Sequence, residues 1–116
     1  RYLIRQIDAA VNLTIEADET ALKINVRNNV PILQRDMDRI HESRRQHHEL
    51  HLQGRAGAYF DYDHMDTTES AGFGIAMVDQ GFFKLGLDPF KHLIIEAHPR
   101  MTEVTLIYPR HILQVQ

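Results

Sequence analysis

The chain has 116 residues, a net charge of −3 and no cysteine. This length suffices for one small domain with a single core. The charge gives no field that would attract nucleic acid or an anionic membrane, and the lack of cysteine excludes disulfides and cysteine-ligated zinc. No apolar run approaches the roughly 20 residues that a membrane helix needs. We therefore expect a cytoplasmic domain with no nucleic-acid partner and no membrane insertion.

Alternation of apolar and polar residues predicts a β-hairpin near the start of the chain. Val11, Leu13 and Ile15 alternate with polar residues, and the same pattern returns after a short polar turn. A period of two residues is typical of half-buried strands. We expect strands over residues 11–17 and 21–27.

A long helix is predicted over residues 32–52, because Leu33, Met37 and Ile40 fall on one helical face. The segment 41–49 that follows has no apolar member and includes several histidines. We expect this second half of the helix to be exposed to solvent.

A second helix is indicated by an apolar stripe at helical spacing, formed by Ile75, Val78, Phe82 and Leu85. Ser70 is its candidate N-cap. Residues 92–97 and 102–108 are predicted to be two final strands, and residues 58–70 a strand followed by a polar loop. This order predicts an α+β fold, a two-layer sandwich with helices on one face of a mostly antiparallel sheet.

Gly72 and Gly74 precede the apolar stripe of the second helix. Glycines at that place let the backbone approach a phosphate, and a helix N-terminus offers N–H groups and a partial positive charge. The same glycines also fit a turn with close helix–sheet packing. By themselves they leave both interpretations open.

Three segments together resemble the GHKL (Bergerat-fold) ATPase superfamily, which includes histidine kinases and anti-sigma kinases. Residues 26–32 look like the Asp-x-Gly-x-Gly box that holds adenine, and residues 72–78 like the Gly-x-Gly box that opens a helix. Thr102 is similar to the Thr of a late strand in that family. The helix from Leu33 and the loop up to Ser70 take the place of the family's lid.

The resemblance implies one GHKL-like domain over residues 1–116 that binds ATP and magnesium. Its nucleotide-binding residues would be Asn28, Asn29, Gly72, Gly74 and Thr102. The family's first helix carries the metal-binding Asn, and Arg1 and Tyr2 look like the tail of that helix. We therefore expect the domain to lack its first helix.

The first box departs from the family pattern. Asn28 stands where the family has Asp, and Val30 and Ile32 stand where it has glycines. An Asn amide is neutral and donates as well as accepts hydrogen bonds. We therefore assign no catalytic residue. We expect a bacterial signalling domain, a kinase-like pseudo-enzyme that acts through protein partners, with a homodimer as one option.

The histidines of the first helix suggest an alternative, a His-dependent metal-binding domain. His47 and His51 are four residues apart and His48 and His51 three apart, a spacing that lets imidazoles share a metal. A solvated polar face is the favoured interpretation, so no metal ligand is assigned.

A second alternative is a partner-binding module switched by phosphorylation. The segment before the second helix resembles the phosphorylated stretch of anti-sigma antagonist (STAS) domains, with Thr67, Thr68 and Ser70 as candidate hydroxyls. Two additional residues before Gly72 make this match poorer.

Overall fold

The computed structural model describes residues 10–60 and 70–113. In chain order the elements are β1 (Val11–Ala17), β2 (Ala21–Asn28), α1 (Gln34–Leu52), a 3-10 helix (Ala56–Phe60), α2 (Ser70–Lys84), α3 (Pro89–His92), β3 (Leu93–Ala97), β4 (Thr102–Pro109) and α4 (Arg110–Leu113). The predicted α+β class is confirmed. The chain divides into two compact units: residues 34–89 contain α1, the 3-10 helix and α2, and the other unit contains the sheet.

The sheet has the strand order β1-β2-β4-β3, and every neighbouring pair is antiparallel. The predicted hairpin is confirmed, with Ala17 opposite Leu22 at its closed end. Asp18 makes the turn, because its Oδ1 accepts hydrogen bonds from the backbone N–H groups of Thr20 and Ala21 at 2.7 and 2.9 Å. Such side-chain to backbone bonds favour turns over regular structure.

The two faces of the sheet differ in polarity, as the period of two requires. The mostly apolar face carries Val11, Leu13, Ile15, Leu22, Ile24, Val26, Asn28, Leu93, Ile95, Thr102, Val104 and Leu106, and the mostly polar face carries Asn12, Thr14, Glu16, Lys23, Asn25, Arg27, Ile94, Glu96, Glu103, Thr105 and Ile107. The apolar face is buried at β3 and open at β1, where Val11, Leu13 and Ile15 are 69%, 62% and 61% exposed.

The helical unit has its own core, which includes the buried side chains of Met37, Tyr59, Ala76 and Phe82. Gly54 ends α1 with a positive φ of 74°, and the following Arg55 N–H bonds back to Leu50 O at 2.7 Å. This is the usual glycine closure of a helix. It leads into the 3-10 helix that contributes Tyr59.

The second half of α1 is exposed only in part, as at His41, Glu42 and Arg45, whereas the sequence predicted exposure throughout. Arg44 is 5% exposed and His47 is 0% exposed. Their positions continue the spacing of Met37 and Ile40 along the same helical face, so they lie inside the helical unit. For these two residues the expectation was wrong, because polar side chains with polar partners can occupy a buried face.

Residues 58–60 belong to the 3-10 helix and not to a strand, which corrects the prediction there. Tyr59 is 2% exposed, and its ring lies 4.8 Å from the ring of His47 on α1. The rest of the predicted polar loop, residues 61–69, lies outside the described residues.

Candidate functional site

The sheet brings together three of the five residues that the resemblance assigned to nucleotide binding. Asn28 ends β2 and Thr102 begins β4, and the two are directly opposite each other in the register. Asn29 follows Asn28 at the same end of the sheet. The antiparallel pairing of β2 with β4 therefore places these polar side chains at the same end of the sheet.

All three side chains are hydrogen-bonded to neighbouring backbone. Asn28 Oδ1 accepts from the N–H of Val30 at 3.0 Å, and Thr102 Oγ1 donates to Val30 O at 2.8 Å. Asn29 Oδ1 accepts from the N–H of Ala10 at 2.8 Å. These bonds hold the turn after β2, which we call the Val30 turn (residues 28–30), against the starts of β1 and β4.

A groove of about 190 Å³ lies beside the Val30 turn, lined by Ala10, Asn12, Arg27, Asn28, Asn29 and Met101. Pockets that enclose an organic ligand are usually about 300–1,000 Å³. Among the residues that line the groove, Arg27 carries a positive charge. The groove taken alone is thus suited to contact with part of an anionic ligand and not to its enclosure.

The other two predicted site residues belong to the helical unit. Gly72 and Gly74 lie inside the first turns of α2, which begins at Ser70, and not ahead of the helix as the sequence suggested. The Gly72 N–H still belongs to the first four of the helix, which have no intrahelical acceptor. A Cβ added at Gly74 would meet no atom within 4 Å, so close packing does not require glycine there.

Three histidines of α1 pack against the aromatic ring of Phe83. His51 stacks on the Phe83 ring at 3.8 Å, and the rings of His47 and His48 lie 5.3 and 5.6 Å from it. His47 Nε2 is 3.0 Å from Gln80 Oε1. Burial lowers the pKa of His47, although the Gln80 hydrogen bond and the Asp79 charge oppose this in part. The three histidines thus have a packing role between α1 and α2.

A buried ion pair that the sequence analysis missed joins α1 to α2. Arg44 Nε and Nη2 each lie 2.9 Å from one oxygen of Asp79, and Nη2 also donates to Pro89 O at 2.9 Å. The signal for this pair was present in the spacing, since both residues fall on the apolar faces of their helices. A planar guanidinium suits such two-pronged contact with a carboxylate.

A small cavity next to this pair is lined by Ile40, Ser43, Arg44, His47, Tyr59, Ile75 and Ala76. Its volume of about 10 Å³ is at the lower limit for one water molecule. The cavity therefore has no room for an organic ligand.

Comparison of the chain with protein-family models, with curated proteins and with solved structures finds no match. Of the helices formed by residues 10–60 and 70–113, none combines the length and apolarity that crossing a bilayer requires. For the phosphorylation hypothesis, Thr67 and Thr68 lie outside the described residues, and Ser70 is the first residue of α2.

Proposed function

We propose that this chain is a signalling domain of the kind seen in histidine kinases and anti-sigma kinases, impaired in ATP turnover and acting through a protein partner in the cytoplasm. The order of its described elements supports this: two strands, a helix, a second helix and two strands, which is the order on which the resemblance depends. The three segments similar to the family's boxes fall at the end of β2, at the start of α2 and at the start of β4.

The observation that carries the proposal is the hydrogen bonding of the Val30 turn. Asn28 Oδ1, which would replace the family's adenine-binding carboxylate, already accepts from the Val30 N–H. Thr102 Oγ1 uses its single proton on Val30 O. A nucleotide that takes a hydrogen bond from Thr102 must therefore break a bond that shapes the turn, while the Val30 side chain stands where the family has glycine.

The exposed strand β1 supports action through a protein partner. The bonds from Asn29 N to Ala10 O, at 3.2 Å, and from Asp18 N to Ala21 O, at 3.0 Å, bracket the β1–β2 ladder. Hydrogen-bonded pairs alternate in such a ladder, so even-numbered residues of β1 bond to β2. The N–H and C=O groups of its odd-numbered residues point toward the sheet edge.

Strand β1 also lacks the features that usually protect an edge. It has no proline and no lysine, and Glu16 is its single charged residue. The side chains of Leu13 and Ile15 are more than half exposed beside the outward backbone groups. We propose that an extended segment of a protein partner adds to this edge, with backbone bonds supplying affinity and the two apolar side chains selectivity.

The nucleotide part of the proposal is tested by calorimetric titration of MgATP and MgADP into the chain, together with an ATP hydrolysis assay. We expect no hydrolysis and no binding tighter than a Kd of about 1 mM. Gly74→Trp is the matched variant, since Gly74 is exposed and open space surrounds it. Micromolar binding that the Trp side chain removes would show a working nucleotide site and contradict the proposed impairment.

A further inference from the structure

The β3–β4 hairpin places three metal-ligating side chains side by side on the sheet unit. Glu96 and Glu103 are directly opposite each other in the register, and His98 follows two residues after Glu96. His98 Nε2 lies 3.0 Å from Glu103 Oε1. One ligand atom from each of the three residues lies within 4.8 Å of those of the other two.

Two carboxylates directly opposite each other across a strand pair repel. On its other side Glu103 has stabilising neighbours on β2, because Asn25 Nδ2 donates to Oε2 at 2.9 Å and Arg27 is its register partner. Strand β2 is separated from Glu96 by β4, so these groups act on Glu103 from the far side. A cation held between Glu96 and Glu103 would offset the repulsion at its source.

We propose that Glu96, His98 and Glu103 bind a zinc ion. One imidazole nitrogen and two carboxylate oxygens are donors that zinc accepts, at about 2.0–2.2 Å. Calcium and magnesium take oxygen ligands, so the imidazole favours zinc over them. Three protein ligands leave a fourth position for water or for a donor from another molecule.

The hairpin holds two of the ligands in place before any ion arrives. The His98 N–H donates to Met101 O at 2.9 Å and closes the turn that carries the imidazole. Asn25 fixes the Glu103 carboxylate, the kind of outer hydrogen bond that orients metal ligands. In the tetrahedral geometry of zinc, donor atoms about 2.0–2.2 Å from the ion lie about 3.3–3.6 Å from one another. The exposed Glu96 side chain therefore has to move toward the other two ligands to complete the set.

Zinc would bind His98 through Nε2, the ring nitrogen that lies 3.0 Å from Glu103 Oε1. A neutral imidazole that gives its Nε2 lone pair to the metal carries its proton on Nδ1. The ring nitrogens of His98 thus report directly on the metal.

The test is calorimetric titration of zinc chloride into the full chain at neutral pH, followed by ¹⁵N NMR of the histidine rings. We expect one equivalent of zinc and a large shift of the His98 Nε2 resonance. Glu96→Gln and His98→Gln should each weaken this binding by more than about tenfold. His41→Gln, at an exposed position on α1, is the control and should leave the affinity unchanged.

Glu96→Gln keeps the test decisive even if His98→Gln fails to fold, because Glu96 is exposed. This variant should also raise the melting temperature of the zinc-free chain, since it removes one of two negative charges that face each other across the strand pair. The proposal is overturned if zinc at micromolar concentration is not bound, or if it binds equally well to Glu96→Gln. It does not depend on the proposed signalling function, whose nucleotide test can fail while zinc still binds.

Discussion

Arg44 and Asp79 place a full positive and a full negative charge inside the helical unit, with side chains 5% and 3% exposed. Taking such charges out of water is costly, and the cost is offset only when both are present in good geometry. The two 2.9 Å contacts and the added bond to Pro89 O provide that geometry. Sliding α1 along α2 would separate the two buried charges, so the pair favours the observed packing of the two helices.

Asp79→Asn should destabilise the chain by about 3–5 kcal/mol, because it leaves the Arg44 charge without its counter-charge in a buried site. Urea unfolding followed by circular dichroism measures the loss. The matched control is Glu42→Gln, which breaks an ion pair with Arg45 on the surface. The side chains of Arg45 and Glu42 are 58% and 52% exposed. Equal effects of the two substitutions would contradict the structural role assigned to Asp79.

His47 should make stability fall as the pH falls. Burial lowers its pKa in the folded chain, whereas the unfolded chain keeps a pKa of about 6.5. Below that pH His47 binds a proton in the unfolded state but not in the folded state. The free energy of unfolding therefore falls until the pH reaches the pKa of His47 in the folded chain. Urea unfolding at a series of pH values between about 7.5 and 5 measures this slope.

His47→Gln should flatten the slope of stability against pH, whatever it does to stability at neutral pH. His41→Gln should leave the slope as it is, because His41 is exposed on the same helix. An unchanged slope in His47→Gln would mean that another group is responsible for the pH dependence.

The end of α2 shows how an element is terminated by one residue. Gly86 has a φ of 76°, and Leu87 N bonds back to Phe82 O at 2.9 Å while Gly86 N bonds to Phe83 O at 3.0 Å. This pair of bonds satisfies carbonyls that the helix leaves open and requires a left-handed residue between them. Glycine adopts that conformation without a steric penalty.

Gly86→Ala should cost about 1 kcal/mol of stability, since alanine is strained at a positive φ. Gly81→Ala is the counterpart within the same helix, where an added Cβ meets no atom within 4 Å. It should stabilise by up to about 1 kcal/mol, because alanine is the better helix former. Thermal unfolding of both variants checks the opposite signs, and the same sign for both would refute this account of the cap.

Alternation and helical spacing were enough to predict most elements from the sequence. Strands β1 and β2 begin where alternation begins, and α1 ends at Leu52 as expected. The interior of α1 could not be predicted in the same way. Arg44 and His47 continue the spacing of Met37 and Ile40, but a polar residue at such a position indicates burial only when its partner is known, and Asp79 and Gln80 meet them from α2.

At the scale of the whole molecule, the candidate site was predicted only in part. Asn28, Asn29 and Thr102 do meet at one end of the sheet, whereas Gly72 and Gly74 lie in α2 of the other unit. The zinc ligands were missed because Glu96 and Glu103 lie on different strands, β3 and β4. Only the pairing of these strands across the turn brings the two carboxylates together. The sequence instead suggests the histidines of α1, of which His47, His48 and His51 pack against the Phe83 ring.

The two units also differ in what they offer to other molecules. The helical unit buries Arg44, His47 and Phe82, while other charged side chains such as Glu42 and Arg45 are exposed. The sheet unit has an open apolar strand, β1, at its edge. Substitutions on β1 should therefore change partner binding and leave stability nearly unchanged, since exposed side chains contribute little to folding.

The most direct test of the account is photo-cross-linking from Thr14 on β1 in an extract of the source organism. Size-exclusion chromatography with light scattering then shows whether the captured protein is a second copy of the chain. We expect one specific adduct that is lost in the double variant Leu13→Asp, Ile15→Asp and never forms from a probe at Lys91, an exposed control position. An adduct that forms equally well in the double variant, or no adduct at all, would contradict a function that depends on partner contact at β1.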